Sequence, residues 1–186
     1  KWTESNPDFY IKDSLGKFVP PVRDWSDVID LNYDNKGMKA AMIDAMKFWL
    51  TDAKIDGFRC DVAEMVPLDF WIEARKELVV ANPNLFMLAE GEKPELHAAF
   101  NMTYTWKGFG VFRKVAKGEY PARAIDDYLG EDKFNYSPKA IRMYFTTNHD
   151  ENSWNGTEKE MFGDGAKAFY VLPFPAPRPR ATASSR

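Results

Sequence analysis

The sequence predicts an α/β protein whose parallel sheet is covered by helices, built either as a (β/α) barrel or as an open sheet. Strand-type segments alternate with helix-type segments from about residue 55 onward, and this alternation is typical of parallel strands connected by helices. Three of the four predicted strands also run into acidic residues. Because sites in both folds are built at the carboxyl ends of strands, these acids are the first candidates for function.

The composition indicates one folded domain with a substantial core. The chain has 186 residues, of which 45% are hydrophobic and 15% aromatic, so general disorder is excluded. The net charge of −3 argues against nucleic acid as a partner, and no apolar run is long enough to span a membrane. Cys60 is the single cysteine, which excludes an intramolecular disulfide.

Three segments are predicted along the chain. Residues 1–36 are rich in proline, aromatic and acidic residues without a regular period, which predicts a loop-rich segment. Residues 37–172 carry the strand and helix pattern and form the main folded domain. Residues 173–186 begin with proline at every second position, which excludes a helix or a central strand. We expect this tail to be disordered, and its abrupt start indicates truncation, a shifted reading frame or a cloning remnant.

The predicted elements follow from capping residues and from the period of the apolar residues. Asn35 is placed to cap the first helix, whose apolar residues recur at helical spacing from Met38 to Trp49 and Leu50. The next helix has Pro67 in its first turn. Its predicted buried stripe consists of Phe70, Trp71, Ala74 and Leu78. In order, the predicted segments are strand 55–61, helix 67–80, strand 85–90, a short helical turn at 94–100, strand 102–106, helices at 109–117 and 122–130, strand 141–147, a loop, and a helix at about 164–172.

The segment Ile55-Asp56-Gly57-Phe58-Arg59-Cys60-Asp61 predicts a short strand that ends in a paired acid. Gly57 permits a close backbone approach. Arg59 and Asp61 are two residues apart, so in a strand their side chains share a face. A carboxylate beside a permanent cation stays ionised, which suits a nucleophile. Cys60 faces the other way and is expected to be a small buried hydrophobic residue. The alternative is a structural ion pair at the rim of the sheet.

Two further acids end predicted strands. Glu90 follows the apolar run Phe86-Met87-Leu88-Ala89, and an apolar environment favours the neutral form of a carboxyl group, which suits a proton donor. Asp150 follows the last strand beside His149, where both side chains can bind sugar hydroxyls. An ionised and a protonated carboxyl group are the minimum for glycosidic cleavage.

Each of these residues also has a structural interpretation. Glu90 as a partly exposed acid at a strand end, and His149 as a hydrogen-bonded structural histidine, stay open. A metal site formed by His149, Asp150 and Glu151 is disfavoured, because the side chains of adjacent residues do not converge on one ion.

Three segments together resemble conserved regions of the α-amylase family, glycoside hydrolase family 13. Gly57-Phe58-Arg59-Cys60-Asp61 resembles the second conserved region, Leu88-Ala89-Glu90 the third, and Phe145-Thr146-Thr147-Asn148-His149-Asp150 the fourth. The resemblance covers residues 1–172. It implies a partial (β/α)8 TIM barrel with about four of the eight strand–helix units, preceded by the end of a loop-rich inserted domain.

The resemblance also implies a role for each site residue. Asp61 is the nucleophile, Glu90 is the acid/base, and Asp150 stabilises the transition state. The implied substrate-binding residues are Arg59, Asn148 and His149.

The activity implied by the resemblance is retaining hydrolysis of α-1,4-glucosidic bonds in starch or maltooligosaccharides by double displacement. Two alternatives stay open: a folded but catalytically inactive α-amylase fragment, and a transglycosidase or α-glucosidase with the same three acids. The family resemblance favours a secreted or periplasmic location over the cytoplasm.

Departures from the family pattern bear on calcium and on assembly. The first conserved region, which carries a usual calcium ligand, would precede residue 1. Glu64 and Met65 occupy positions where the family often has Lys and His. The sequence therefore assigns no cofactor and argues against calcium, the one candidate that the family raises. Because four strands are half of a barrel, we expect a truncated chain that forms a homodimer in which two half-barrels close each other.

Overall fold

A computed structural model describes residues 2–171, and the predicted disordered tail, 173–186, lies outside the described residues. The helices are α1 (Trp2–Ser5), α2 (Lys36–Thr51), α3 (Leu68–Ala81), α4 (Trp106–Ala116), α5 (Arg123–Asn135), α6 (His149–Trp154), α7 (Glu158–Phe162) and α8 (Ala166–Val171). The strands are β1 (Gly57–Cys60), β2 (Phe86–Ala89), β3 (Met102–Tyr104) and β4 (Ile141–Met143). Short 3-10 helices lie at Pro7–Phe9, Ala63–Met65, Pro94–Ala98 and Gly163–Gly165. No helix among these residues is long and apolar enough to cross a membrane.

The four strands form one sheet in the order β1-β2-β3-β4. β2 pairs in parallel with β3, with Leu88 opposite Met102, and β3 pairs in parallel with β4, with Met102 opposite Ile141. The predicted parallel sheet is confirmed. Strands that are neighbours both in the chain and in the sheet, with helices between them, are the repeating unit of a (β/α) barrel.

β4 is shorter than predicted. It ends at Met143 rather than at residue 147, because its partner β3 ends at Tyr104. The hydroxyl of Thr105 then donates a hydrogen bond to the Met143 carbonyl oxygen (2.8 Å). A side chain therefore satisfies the backbone group that a longer strand pair would use.

The chain folds as two compact units. Among the described residues, unit 1 comprises 2–87 together with 98–100, and unit 2 comprises 88–97 and 101–171. The predicted segment boundary at residue 36 stays a prediction.

In unit 1, α2 packs against α3. The Asn35 side chain accepts a hydrogen bond from the backbone N–H of Met38 (3.1 Å), which confirms the predicted cap. Trp49 is part of the apolar pattern of α2, but its side chain is 52% exposed and packs edge to face against Phe48 at the surface (ring centroids 5.8 Å apart). The buried residues of α3 are those predicted: Phe70, Trp71, Ala74 and Leu78.

Gly57 begins β1 at a position that excludes a side chain. A Cβ atom built on Gly57 would overlap the carbonyl oxygen of Phe86, and the Phe86 N–H donates to the Asp56 carbonyl oxygen beside it (3.2 Å). The close backbone approach predicted at Gly57 is confirmed, and it explains why the segment needs glycine there.

Unit 2 has an aromatic core between its helices. Edge-to-face and tilted ring pairs connect its members, an arrangement that adds to the free energy gained from burial alone. The buried residues of this core are Phe109, Phe112, Tyr128, Met161, Phe162 and Phe169.

Two short helices, α6 and α7, occupy the segment that follows β4, so the predicted loop after Asp150 is wrong. Asn148 begins α6 by accepting a hydrogen bond from the Glu151 N–H (2.7 Å). Thr157 and Glu160 form a reciprocal capping box at α7. The last two residues of α7 are part of the aromatic core of unit 2, and their burial stabilises this short helix.

Candidate active site

Asp61 is the first residue after β1 and is paired within its own segment. The Arg59 guanidinium donates from Nη1 to Asp61 Oδ1, which confirms that the two side chains share a face. The Asp61 side chain is 73% exposed and that of Arg59 is 28% exposed. A cation therefore lies beside a carboxylate that remains accessible from solvent.

Cys60 lies between these residues and faces the interior. It is 7% exposed, which confirms the predicted burial. Burial raises the pKa of its thiol to about 12, and the charge of Arg59 lowers that pKa by a smaller amount. The thiol is therefore protonated near neutral pH and behaves as a small hydrophobic side chain.

A strained turn follows Asp61. Val62 has a φ of 44°, in the left-handed region that β-branched residues rarely adopt. The Ala63 carbonyl oxygen accepts a hydrogen bond from the buried indole Nε1–H of Trp71 (3.0 Å). The start of α3 thus holds the backbone turn that carries Asp61 out of the strand.

Glu90 is the first residue after β2 and is half-buried. Within β2, Met87 and Ala89 are both 0% exposed, which confirms that an apolar strand leads to this acid. The next carbonyl oxygen, that of Gly91, accepts a hydrogen bond from the Tyr104 N–H (3.0 Å). Glu90 therefore extends from backbone that is fixed on both sides.

Asn148, His149 and Asp150 form the start of α6. The Asn148 side-chain oxygen caps the helix, and its Nδ2 is buried without a hydrogen-bond partner among the described residues. His149 Nε2 lies 3.3 Å from Asp150 Oδ2, and these side chains are 72% and 47% exposed. Two accessible polar groups therefore stand beside an asparagine that has a structural role of its own.

The predicted site residues thus contact one another in two pairs. Arg59 pairs with Asp61, and His149 pairs with Asp150. Each of the three acids comes after a different strand, namely β1, β2 and β4. Their catalytic roles stay predictions.

The sequence pattern does not predict a buried polar cluster in unit 2. At its centre is Arg142 on β4, whose side chain is 3% exposed. Its Nε donates to Asp132 Oδ1 (3.0 Å) and its Nη2 to Glu92 Oε1 (3.3 Å). Asp132 also accepts hydrogen bonds from the hydroxyls of Tyr128 and Tyr144 (both 3.2 Å). The one available signal is an arginine inside a predicted strand, because a buried cation requires a charged partner.

The two tyrosines of this cluster are permanent donors to Asp132. Burial, with the charge of Asp132 added to it, raises the pKa of Tyr144 to about 12. The same two causes raise the pKa of Tyr128. Both phenols therefore stay protonated at neutral and moderately alkaline pH.

A calcium site would need several oxygen ligands that converge on one ion. Within residues 2–171, no three His, Cys, Asp or Glu side chains come together as a metal-ligand group.

The strands of this sheet are parallel and follow one another in chain order, with helices between them. An acid follows three of the four strands. These features are typical of (β/α)-barrel enzymes. Residues 22–107 match the family model described as "Alpha amylase, catalytic domain". This match supports a relationship to the α-amylase family, glycoside hydrolase family 13.

Similar proteins confirm the partial barrel. An α-amylase from Lactobacillus plantarum superposes with a TM-score of 0.75 at 32% identity, over 80% of this chain and 39% of that one. A noncanonic maltogenic α-amylase, AmyB, from Thermotoga neapolitana gives a TM-score of 0.74 at 36% identity, over 80% and 35%. The trehalose synthase/amylase TreS of Mycolicibacterium smegmatis is 54% identical over 116 residues, which are 62% of this chain and 14% of the relative. The chain spans well under half the length of each of these proteins.

Proposed function

We propose that this chain carries the catalytic acids of a retaining glycoside hydrolase that cleaves α-1,4-glucosidic bonds in starch or maltooligosaccharides. The observation that supports the proposal most is that three acids each follow a different strand, in a chain that matches the α-amylase family model. Asp61 and Glu90 follow their strands directly, and Asp150 lies in the first turn of α6 after β4. In this proposal Asp61 is the nucleophile, Glu90 the acid/base and Asp150 the stabiliser of the oxocarbenium-like transition state.

The proposed reaction has two displacements. The Asp61 carboxylate attacks the anomeric carbon while Glu90 donates its proton to the departing glycosidic oxygen, which gives a covalent glycosyl–enzyme. Glu90 then takes a proton from water, the water oxygen attacks the same carbon, and Asp61 leaves with the α configuration restored. The Arg59 guanidinium donates a hydrogen bond to the Asp61 carboxylate and holds it in place for the first step. Asn148 and His149 bind sugar hydroxyls.

Reducing-sugar release from maltoheptaose tests this proposal. We expect the 186-residue chain to hydrolyse maltoheptaose, and Glu90→Gln and Asp61→Asn each to lose activity by at least about a thousandfold with the fold unchanged. The two variants also exclude a contaminating amylase. Unchanged hydrolysis in either variant would refute its assigned role, and a wild-type chain without activity would favour the inactive fragment.

Transfer of the glucosyl group to another sugar is the second candidate function. It is supported by the 54% identity to a protein named trehalose synthase/amylase. The same glycosyl–enzyme serves both reactions, because either water or a sugar hydroxyl can attack it. Proton NMR of a maltose incubation separates the two, since hydrolysis yields glucose alone and transfer yields trehalose.

The homodimer and the secreted or periplasmic location stay proposals. Light scattering tests the first, because a half-barrel that closes on a second copy has twice the mass of one chain. A folded species of 21.4 kDa would refute it.

A further inference from the structure

We propose that the buried cluster around Arg142 positions Glu90 for proton transfer, acting through Glu92 and Tyr136. This inference rests on the proposed function, because it takes Glu90 as the acid/base. All of the contacts that support it lie within unit 2.

The backbone on both sides of Glu90 is tied down. Before it, Ala89 pairs with Thr103 on the neighbouring strand. After it, the Gly91 carbonyl oxygen accepts from the Tyr104 N–H (3.0 Å). Glu90 therefore has little backbone freedom, and its position depends on what fixes Glu92, two residues further on.

Glu92 is held by both its carboxylate and its backbone. The carboxylate accepts from the Lys107 N–H at the start of α4 (3.1 and 3.0 Å to its two oxygens) and from Arg142. The Glu92 carbonyl oxygen accepts from the hydroxyl of Tyr136. A helix N-terminus, a strand and a loop therefore converge on the residue two positions after Glu90.

Arg142 organises these contacts. Its guanidinium carbon lies 3.7 Å from the centre of the Tyr136 ring. Arg142 therefore holds Glu92 in two ways. It binds the Glu92 carboxylate directly, and it supports the Tyr136 ring, whose hydroxyl binds the Glu92 carbonyl oxygen. Nη1 of Arg142 donates to the Thr103 hydroxyl, on the strand that pairs with β2. Asp132 balances the charge from the other side. The planar guanidinium thus fixes the geometry of the whole cluster.

A purely structural cluster and a positioning cluster predict different kinetics. Loss of a structural contact lowers the amount of folded enzyme and affects all substrates equally. Displacement of Glu90 instead slows only reactions in which the leaving group needs a proton. Maltoheptaose needs that proton, whereas α-maltosyl fluoride releases fluoride without it.

Tyr136→Phe provides the test, because it removes one hydroxyl and keeps the ring beneath Arg142. We expect kcat for maltoheptaose to fall about tenfold with KM unchanged, and glycosylation by α-maltosyl fluoride to change by less than about twofold. Tyr120→Phe is the matched control, because it removes an exposed tyrosine hydroxyl that accepts from Lys114 and lies outside the cluster. In this control both substrates should change by less than about twofold.

Glu92→Gln is a second variant in case Tyr136→Phe folds poorly. It keeps the side-chain shape but weakens the bond to Arg142, so it should lower the maltoheptaose-to-fluoride rate ratio in the same direction. Equal losses on both substrates in these variants would overturn this inference alone. A wild-type chain that turns over neither substrate would overturn the proposed function, and this inference with it.

Discussion

The proposed nucleophile, Asp61, and the proposed acid/base, Glu90, are held in contrasting ways. Asp61 is highly exposed, and its partner Arg59 lies only two residues earlier in the chain. Glu90 adjoins a segment fixed by residues from β3, α4, β4 and the loop before β4. Local contacts therefore support one acid, and contacts distant in sequence support the other.

This difference has an energetic consequence. An ion pair near solvent contributes little to the free energy of unfolding, because water screens it. A buried guanidinium with two carboxylate partners behaves differently, since removal of one member leaves uncompensated charge inside the protein. We therefore expect the surroundings of Glu90 to be much less tolerant of substitution than those of Asp61.

Arg142→Met should give the largest effect. It leaves Asp132 and Glu92 without their shared cation, and we expect the free energy of unfolding to fall by about 3–5 kcal/mol. Urea denaturation followed by circular dichroism measures the change. A loss below about 1 kcal/mol would show that the cluster is no more important than a surface pair.

The thiol of Cys60 tests whether β1 has one exposed and one buried face. Because the pKa of the thiol is raised to about 12, little thiolate exists at pH 8 in the folded chain. We expect labelling by a disulfide reagent at pH 8 to be at least about a hundredfold slower in the native protein than in urea. Equally fast labelling in both would contradict the assignment of faces.

Trp71→Phe should have an intermediate effect. The substitution keeps an aromatic ring in the core but removes the hydrogen bond to Ala63, so a buried carbonyl oxygen loses its partner. We expect a loss of about 1–3 kcal/mol in the free energy of unfolding. Val80→Ala, at an exposed position on the same helix, is the control and should stay within about 0.5 kcal/mol of the wild type.

Arg59→Met should have the smallest effect on stability. The free energy of unfolding should fall by less than about 1 kcal/mol, because the Asp61 carboxylate that remains is exposed to water. Hydrolysis of maltoheptaose should nevertheless fall sharply, because the Asp61 carboxylate loses the guanidinium that holds it. A stability loss as large as that of Arg142→Met would remove the contrast between the two acids.

The same contrast explains what the sequence could predict. The Arg59–Asp61 pair, the Asn35 cap and the buried stripe of α3 all depend on residues two to four positions apart, so local periodicity identifies them. The partners of Arg142 include Thr103 and Glu92, which are 39 and 50 residues away, and no local pattern connects such residues.

The loop predicted after β4 was wrong for a different reason. The caps of α6 and α7 at Asn148 and Thr157 were present in the sequence, but a segment rich in Asn, Ser and Gly favours a loop on propensity alone. Burial of the end of α7 in the core of unit 2 decides the structure instead. Tertiary packing overrides local preference here.

The most direct test of the central claim is azide rescue with α-maltosyl fluoride as substrate. In Glu90→Ala, azide should replace water as the second nucleophile and give α-maltosyl azide, because two inversions still occur at the anomeric carbon. In Asp61→Ala, azide should replace the nucleophile itself and give the β-azide by a single inversion. Proton NMR of the two products would then assign both acids at once. A β-azide from Glu90→Ala, or an α-azide from Asp61→Ala, would contradict the assignment.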